Sequence, residues 1–180
     1  MGEALALIDK IIEEHKLIAK EIRTVEQTVN DLEAGSKLEG AKEDFLPGKL
    51  DDQKRSVQNL QQSLETIAQG IEAHFDREET GLLAAFEEHG GKMLASALRA
   101  LLTEHEELRN RLAKLRRDMA ELTVGSLSRE VWEGKAWGVR VYTGSTRQLL
   151  DAHAQSEQEL LLMLRNRLRR EIKESGRSER

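Results

Sequence analysis

The sequence predicts an all-α protein, an up-down-up-down four-helix bundle. Three observations carry this expectation. Charged residues make up 34% of the chain and aromatic residues only 3%, with a single proline, Pro47. This composition is rich in the Ala, Leu, Glu, Lys, Arg and Gln that favour long helices. Apolar residues recur at alternating spacings of three and four over long stretches, the mark of amphipathic helices rather than strands. Glycine- or serine-bearing segments interrupt that pattern between the stretches.

The first helix is expected from about Glu3 to Glu33. Its stripe is Leu5, Ile8, Ile11, Ile12, Ile18, Ile22, Val25, Val29 and Leu32, and His15 fills the gap between Ile11 and Ile18. From Gly35 to Gly48 the pattern dissolves into a long connection, where Phe45 and Leu46 are placed to fold back over the bundle end. The second helix is expected from about Leu50 to Glu88, with Asp51 or Asp52 as its cap. Its stripe of Val57, Leu60, Leu64, Ile67, Ile71, His74, Glu78 and Leu82 puts His74 and Glu78 at core positions. Gly90 and Gly91 then stop the chain. The third helix, about Lys92 to Leu122, carries Leu94, Leu98, Leu101, His105, Leu108, Leu112, Leu115, Met119 and Leu122 in a regular alternation.

A polar turn follows at Thr123 to Ser128, with Ser126 or Ser128 as a cap. The fourth helix should end near Lys173. A kink or irregular turn is expected around Gly134, Gly138 and Gly144, since each glycine costs about 1 kcal/mol in a helix interior and Val139 to Tyr142 reads almost as a strand. Leu149, His153, Glu157, Leu160, Leu164 and Leu168 form its stripe. One domain is expected over residues 1–174, with a frayed polar tail at 175–180.

The net charge of -5 gives no reason to expect a nucleic-acid partner. There is no cysteine, which removes disulfides, thiolate metal sites and thiol catalysis. No stretch approaches the roughly 18 to 20 apolar residues of a membrane span, so no membrane partner is expected. The N-terminal residues lack the basic and apolar regions of a signal peptide. A cytoplasmic location is the resulting expectation.

The chemistry lies in the polar residues of the apolar stripes. His74 and Glu78, like His153 and Glu157, stand four residues apart and share one helix face. Burying an imidazole and a carboxylate without partners costs several kcal/mol, and the simplest partner is a metal. An internal repeat links the halves of the chain: Ile11-Ile12-Glu13-Glu14-His15 matches Leu101-Leu102-Thr103-Glu104-His105, and Ala73-His74 with Glu78 matches Ala152-His153 with Glu157. In an up-down bundle, residues at one level lie equally far from the intervening turn, because each residue rises about 1.5 Å. The midpoints between successive sites fall near residues 45, 90 and 130, at or just past the expected turns.

The expected metal ligands are therefore His15, His74, Glu78, His105, His153 and Glu157. No catalytic side chain is assigned beyond them. His89 lies about three turns from this level and is assigned to the end of its helix. Glu79 points about 100° away from Glu78 and is a weaker candidate, while Glu14, Glu104 and Glu159 are assigned to solvated faces. Phe75, Trp132, Trp137 and Tyr142 are read as packing residues, with Phe75 and Tyr142 possible neighbours of a pocket. Four imidazoles and two carboxylates offer too many donors for one small ion, so two metals are expected. If both glutamates bridge, each octahedral ion keeps about two positions for a bridging oxo, hydroxo or water group and an exogenous ligand. Such donors suit iron, with manganese second; zinc is usually satisfied by four ligands. Haem held by two histidines would leave the glutamates unexplained.

Single histidines on helices one and three with His-x3-Glu pairs on helices two and four resemble the hemerythrin-like (HHE cation-binding) domain family, from about Leu5 to Leu168. The resemblance implies a four-helix bundle with a non-haem di-iron centre, in which His15, His74, His105 and His153 would be terminal ligands and Glu78 and Glu157 bridges. Two departures separate the chain from the oxygen-carrying members. Arg109 stands where they have a second helix-three histidine, and the helix-four pair is His-x3-Glu rather than His-x4-Asp. The chain is in these respects more similar to bacterial iron-centre repair and nitric-oxide-response proteins and to iron-sensing HHE domains, though it lacks the cysteine-bearing N-terminal segment of the repair proteins. Ferritin-like bundles would instead require Glu-x2-His pairs, which are absent.

The function expected is binding of O2, NO or peroxide at a di-iron centre, with either reduction of that ligand by an unidentified reductant or sensing of it. A regulatory module folded by iron occupancy is the alternative, and a metal-free interaction bundle a third. Self-association into a homo-oligomer would follow from an exposed apolar patch around Trp132 to Tyr142.

Overall fold

The apolar stripes become the buried faces of helical runs in the computed structural model, which describes residues 1–40, 48–123 and 127–178, and side chains at 1–31, 55–123 and 127–175. In chain order these are α1 (Gly2–Gly40), α2 (Gly48–Arg77), a π-helical turn (Glu78–Leu82), α3 (Leu83–Ala85), a second π-helical turn (Phe86–Gly90), α4 (Gly91–Leu102), α5 (Glu104–Thr123) and α6 (Arg129–Ser178). No strand occurs among the described residues. The all-α bundle expected from composition and periodicity is what the chain forms.

The expected helices two and three are not single α-helices. Two π turns divide the C-terminal half of the former, and Thr103 separates α4 from α5. π turns recur at functional sites in helices, and here the first begins on Glu78 itself.

Two other expectations are corrected. α1 continues through Gly35 to Gly40: one glycine costs only about 1 kcal/mol, and the good helix formers on either side of it offset that. α6 is α-helical without interruption from Arg129 to Ser178, so no irregular turn falls at Gly134, Gly138 or Gly144. Its N-terminal half buries Ala136, Val139, Thr143 and Thr146 along one face, so packing overrides both the glycines and the strand-like run. Thr143 and Thr146 return their hydroxyls to the carbonyls of Val139 and Tyr142, each at 2.8 Å.

Gly91 takes a φ of 73° at the turn into α4, where glycine is favoured because it lacks a Cβ. Ser128 caps α6, accepting a 3.4 Å contact from the amide of Val131. Phe45, Leu46 and Ser126 lie outside the described residues, as do the side chains of Asp51 and Asp52.

α1 packs against α2 and α6, and α5 packs against the same two. Neighbours run antiparallel. The buried residues Ile22, Val25 and Val29 late in α1 share a cluster with Val57, Leu60 and Leu64 early in α2, with Leu112, Leu115 and Met119 late in α5, and with Ala136 and Val139 early in α6. A second cluster joins Ile8 and Ile11 to Leu82 and Phe86, to Leu98 and to Leu161, Leu164 and Leu168. Each fully buried side chain of this size contributes about 1.5–3 kcal/mol. The core is thus two apolar bodies, and along every run the histidines and buried glutamates fall between them. Of the expected α6 stripe, Leu149 and Leu160 sit half-buried at its margin, while Leu150 and Leu161 point inward.

Candidate metal centre

The layer between the two clusters is built from the heptad-like spacing itself. His15, His74, His105 and His153 take positions that the pattern otherwise gives to Leu or Ile, so their helices aim them at the bundle axis. All six expected ligands are buried there, and Glu78 and Glu157 are 0% exposed. Their donor atoms form two groups whose members lie within 4.8 Å of one another: His15, His74, Glu78 and Glu157, and Glu78, His105 and His153.

Glu78 belongs to both groups. Its Oε1 lies 2.7 Å from Nε2 of His74 and 3.4 Å from Nε2 of His15, and its Oε2 lies 3.1 Å from Nε2 of His105. Glu157 Oε2 lies 3.1 Å from Nε2 of His15 and 3.9 Å from Nε2 of His153. Despite this closeness, neither carboxylate is aligned for a hydrogen bond, and the same holds for both nitrogens of His15. Groups this deeply buried ordinarily find such partners.

Outside the layer, three imidazoles are tied at Nδ1 by carboxylates of a neighbouring run. Glu14 Oε2 meets His74 at 3.0 Å, Glu79 Oε1 meets His105 at 2.8 Å, and Glu104 Oε2 meets His153 at 3.1 Å. Each Nδ1–H donates outward, which leaves the Nε2 lone pair facing the axis. In that tautomer His105 Nε2 and His153 Nε2 confront each other at 3.1 Å, an arrangement that a cation between them would favour. Outer-sphere carboxylates that orient ligating histidines are the usual support of a metal site.

Glu14 is thus half-buried rather than on a solvated face, while Glu104 is exposed as expected and Glu79 lies outside both donor groups; all three nevertheless reach a histidine of the next run. Each sits at the boundary of its own apolar stripe, from which a glutamate is long enough to reach the next helix. The Glu-His dipeptide repeated at 14–15 and 104–105 was the available signal.

Burial would raise the Glu78 carboxyl, but His105, His15 and His74 together hold it well below the usual carboxylate range. Burial raises Glu157 above that range, and the nearby Glu78 adds to the effect. Burial lowers the His15 imidazole, but Glu157 and Glu78 outweigh it and push the group up to about 9. A cation among these groups would relieve the repulsion between the two carboxylates and replace the proton on His15. The donor set fits one.

Phe75 stacks on His105, with ring centroids 3.9 Å apart. Arg109 is no part of either donor group; it pairs with Glu72 at 2.8 Å and with Glu79 at 2.7 Å. His89 stays in the last turn before Gly91, 3.6 Å from Glu88, and Tyr142 lies beneath Lys114 and Arg111 rather than at the centre. Among the described residues, no helix is long and apolar enough to cross a membrane.

Fold and site together define a helical-bundle protein with a buried histidine–carboxylate group suited to a cation. The chain belongs to the hemerythrin family: the profile of the hemerythrin HHE cation-binding domain matches residues 6–165. No curated protein and no solved structure matches it.

Proposed function

We propose that this chain is a non-haem di-iron protein that binds a small ligand, O2, NO or peroxide, and reduces or senses it. The observation that carries the reading is Glu78, whose two oxygens face different imidazole groups, as a carboxylate bridging two ions would. His15 and His74 would hold one ion, and His105 and His153 the other. Glu157, near both His15 and His153, would be the second bridge. Imidazole and carboxylate donors suit iron, and manganese after it.

Bound iron would supply the electron transfer and the open positions for the ligand. The chain's own residues hold the centre. Glu14, Glu79 and Glu104 fix the tautomer and direction of three histidines, and the two apolar clusters exclude water above and below. Arg109, paired to Glu72 and Glu79, adds no further donor, so more positions remain for exogenous ligand than in the oxygen carriers. That favours turnover or sensing over carriage.

Metal analysis with absorption spectra tests the reading. About two irons per chain, with near-ultraviolet charge-transfer absorption sensitive to azide or NO, is expected. One iron or none in protein purified from iron-replete cells would sink it.

A second reading, a regulatory module whose folding reports iron, is favoured by the divided core. The layer between the clusters is built around six buried ionisable groups, so metal binding there would couple directly to bundle stability.

A further inference from the structure

We propose that small uncharged molecules reach the centre through the gap between Ala19 of α1 and Ala154 of α6, on the His15 side. The proposal deepens the di-iron reading and rests on it for its consequence, while its geometry stands on the protein alone.

The internal repeat places residues 11–19 in register with 101–109, and 71–83 with 150–162. In that register the two sides of the centre are supported unequally. On one side Phe75 stacks on His105, the Arg109 guanidinium lies 5.2 Å from the Phe75 ring centroid, and Glu79 ties His105 to Arg109. The matching positions on the other side are Ala154, Ala19 and Gln158. Gln158 is exposed, and Nδ1 of His15 has no hydrogen bond among the described residues. The positions that seal one side are cut back on the other.

Where they are cut back lies a cavity of about 20 Å³. His15, His74 and His153 line its inner side. Ala19, Asp151 and Ala154 line it too, and all three are half-buried, placing them at its mouth. A space of this size takes about one water-sized molecule. Its walls are mainly apolar, and the Asp151 carboxylate at the mouth is paired with Arg147 at 2.7 Å. A dissolved diatomic fits these walls better than a hydrated anion does, because entering them would strip the anion of its water.

Ala154→Phe restores the residue of the sealed side, and Ala19→Leu narrows the gap from the other helix. Both positions are half-buried at the mouth and outside the two apolar clusters, so a larger side chain can cover the gap without disturbing the core. Crystals of the whole chain pressurised with krypton should show the gas between Ala19 and Ala154, and neither variant should admit it. In iron-loaded protein, both variants should slow NO association at least about tenfold with iron content unchanged.

Krypton absent from this gap, or NO association unchanged in variants that keep their iron, overturns the route. Protein that admits krypton here but holds no iron overturns the di-iron reading and leaves the route standing.

Discussion

Oε1 of Glu79 lies 2.8 Å from Nδ1 of His105. The two residues sit on different helical runs, and Arg109, one turn beyond His105, holds the same oxygen at 2.7 Å. Arg109, with His105, keeps the Glu79 carboxyl below its usual range, so it stays an acceptor and His105 stays protonated at Nδ1. Arg109 therefore has a role beside this candidate centre: it steadies the carboxylate that orients His105.

Glu79→Ala should weaken metal binding by about 10- to 100-fold, the usual effect of losing an outer-sphere partner. Glu79 is partly exposed and outside both apolar clusters, so helicity and melting of the metal-free chain should barely change. Chelator competition reads the affinity, and circular dichroism reads the fold. Glu79→Ala protein with unaltered affinity would remove the orienting role, and lost affinity with lost helicity would make that role structural.

The pH dependence of the metal-free protein follows from His15. Its pKa is raised from 6.5 to about 9, because Glu157 and Glu78 outweigh burial. A group raised on folding contributes stability that is fully present below its unfolded pKa and is lost as pH rises through the folded value. The melting temperature of metal-free protein should therefore fall between about pH 6.5 and 9, and His15→Gln should flatten that fall. Metal must displace the same proton, so metal affinity should climb across the same window. A flat melting profile in the unsubstituted chain would contradict both expectations.

The six buried ligand candidates were legible because helical periodicity is a strong signal, and a histidine or glutamate in a leucine position stands out against it. The level at which they meet was legible from chain length alone, since rise per residue is constant. Glu14, Glu79 and Glu104 were not. Their contacts depend on which neighbour a boundary side chain faces, and that is set by the rotation of one helix against another, which period alone does not encode. The glycines misled for the opposite reason: a local cost of about 1 kcal/mol per residue is offset at Gly35 by good helix formers on either side and in α6 by burial of Val139 and its neighbours.

Two glycines separate these effects experimentally. Gly91 has a φ of 73°, and a Cβ there would meet Nη1 of Arg167 at 3.3 Å. Gly91→Ala should destabilise the chain by about 1–3 kcal/mol, because φ 73° with ψ 170° is a conformation open essentially to glycine alone. Gly134 is helical and exposed, and a Cβ there meets nothing within 4 Å. Gly134→Ala should stabilise by up to about 1 kcal/mol. Urea denaturation of both variants gives the two signs, and a destabilising Gly134→Ala would indicate that this face is covered in solution.

Removing the metal should loosen the middle of the bundle before its ends. In the metal-free chain the layer contains two carboxylates driven apart in pKa and an imidazole that keeps a proton, while the clusters above and below retain all their apolar contacts. Hydrogen exchange should therefore speed up around residues 74–79, 103–106 and 153–157 on chelation, with little change at Leu60 and Leu64 or at Leu164 and Leu168. The π turn at Glu78–Leu82 and the break at Thr103 interrupt regular α-helical hydrogen bonding beside the centre, which makes those stretches the first to open. Exchange confined to them describes a bundle that holds its metal as a cofactor. Exchange that rises through both clusters together describes a chain folded by its metal, and would move the regulatory reading ahead of the catalytic one.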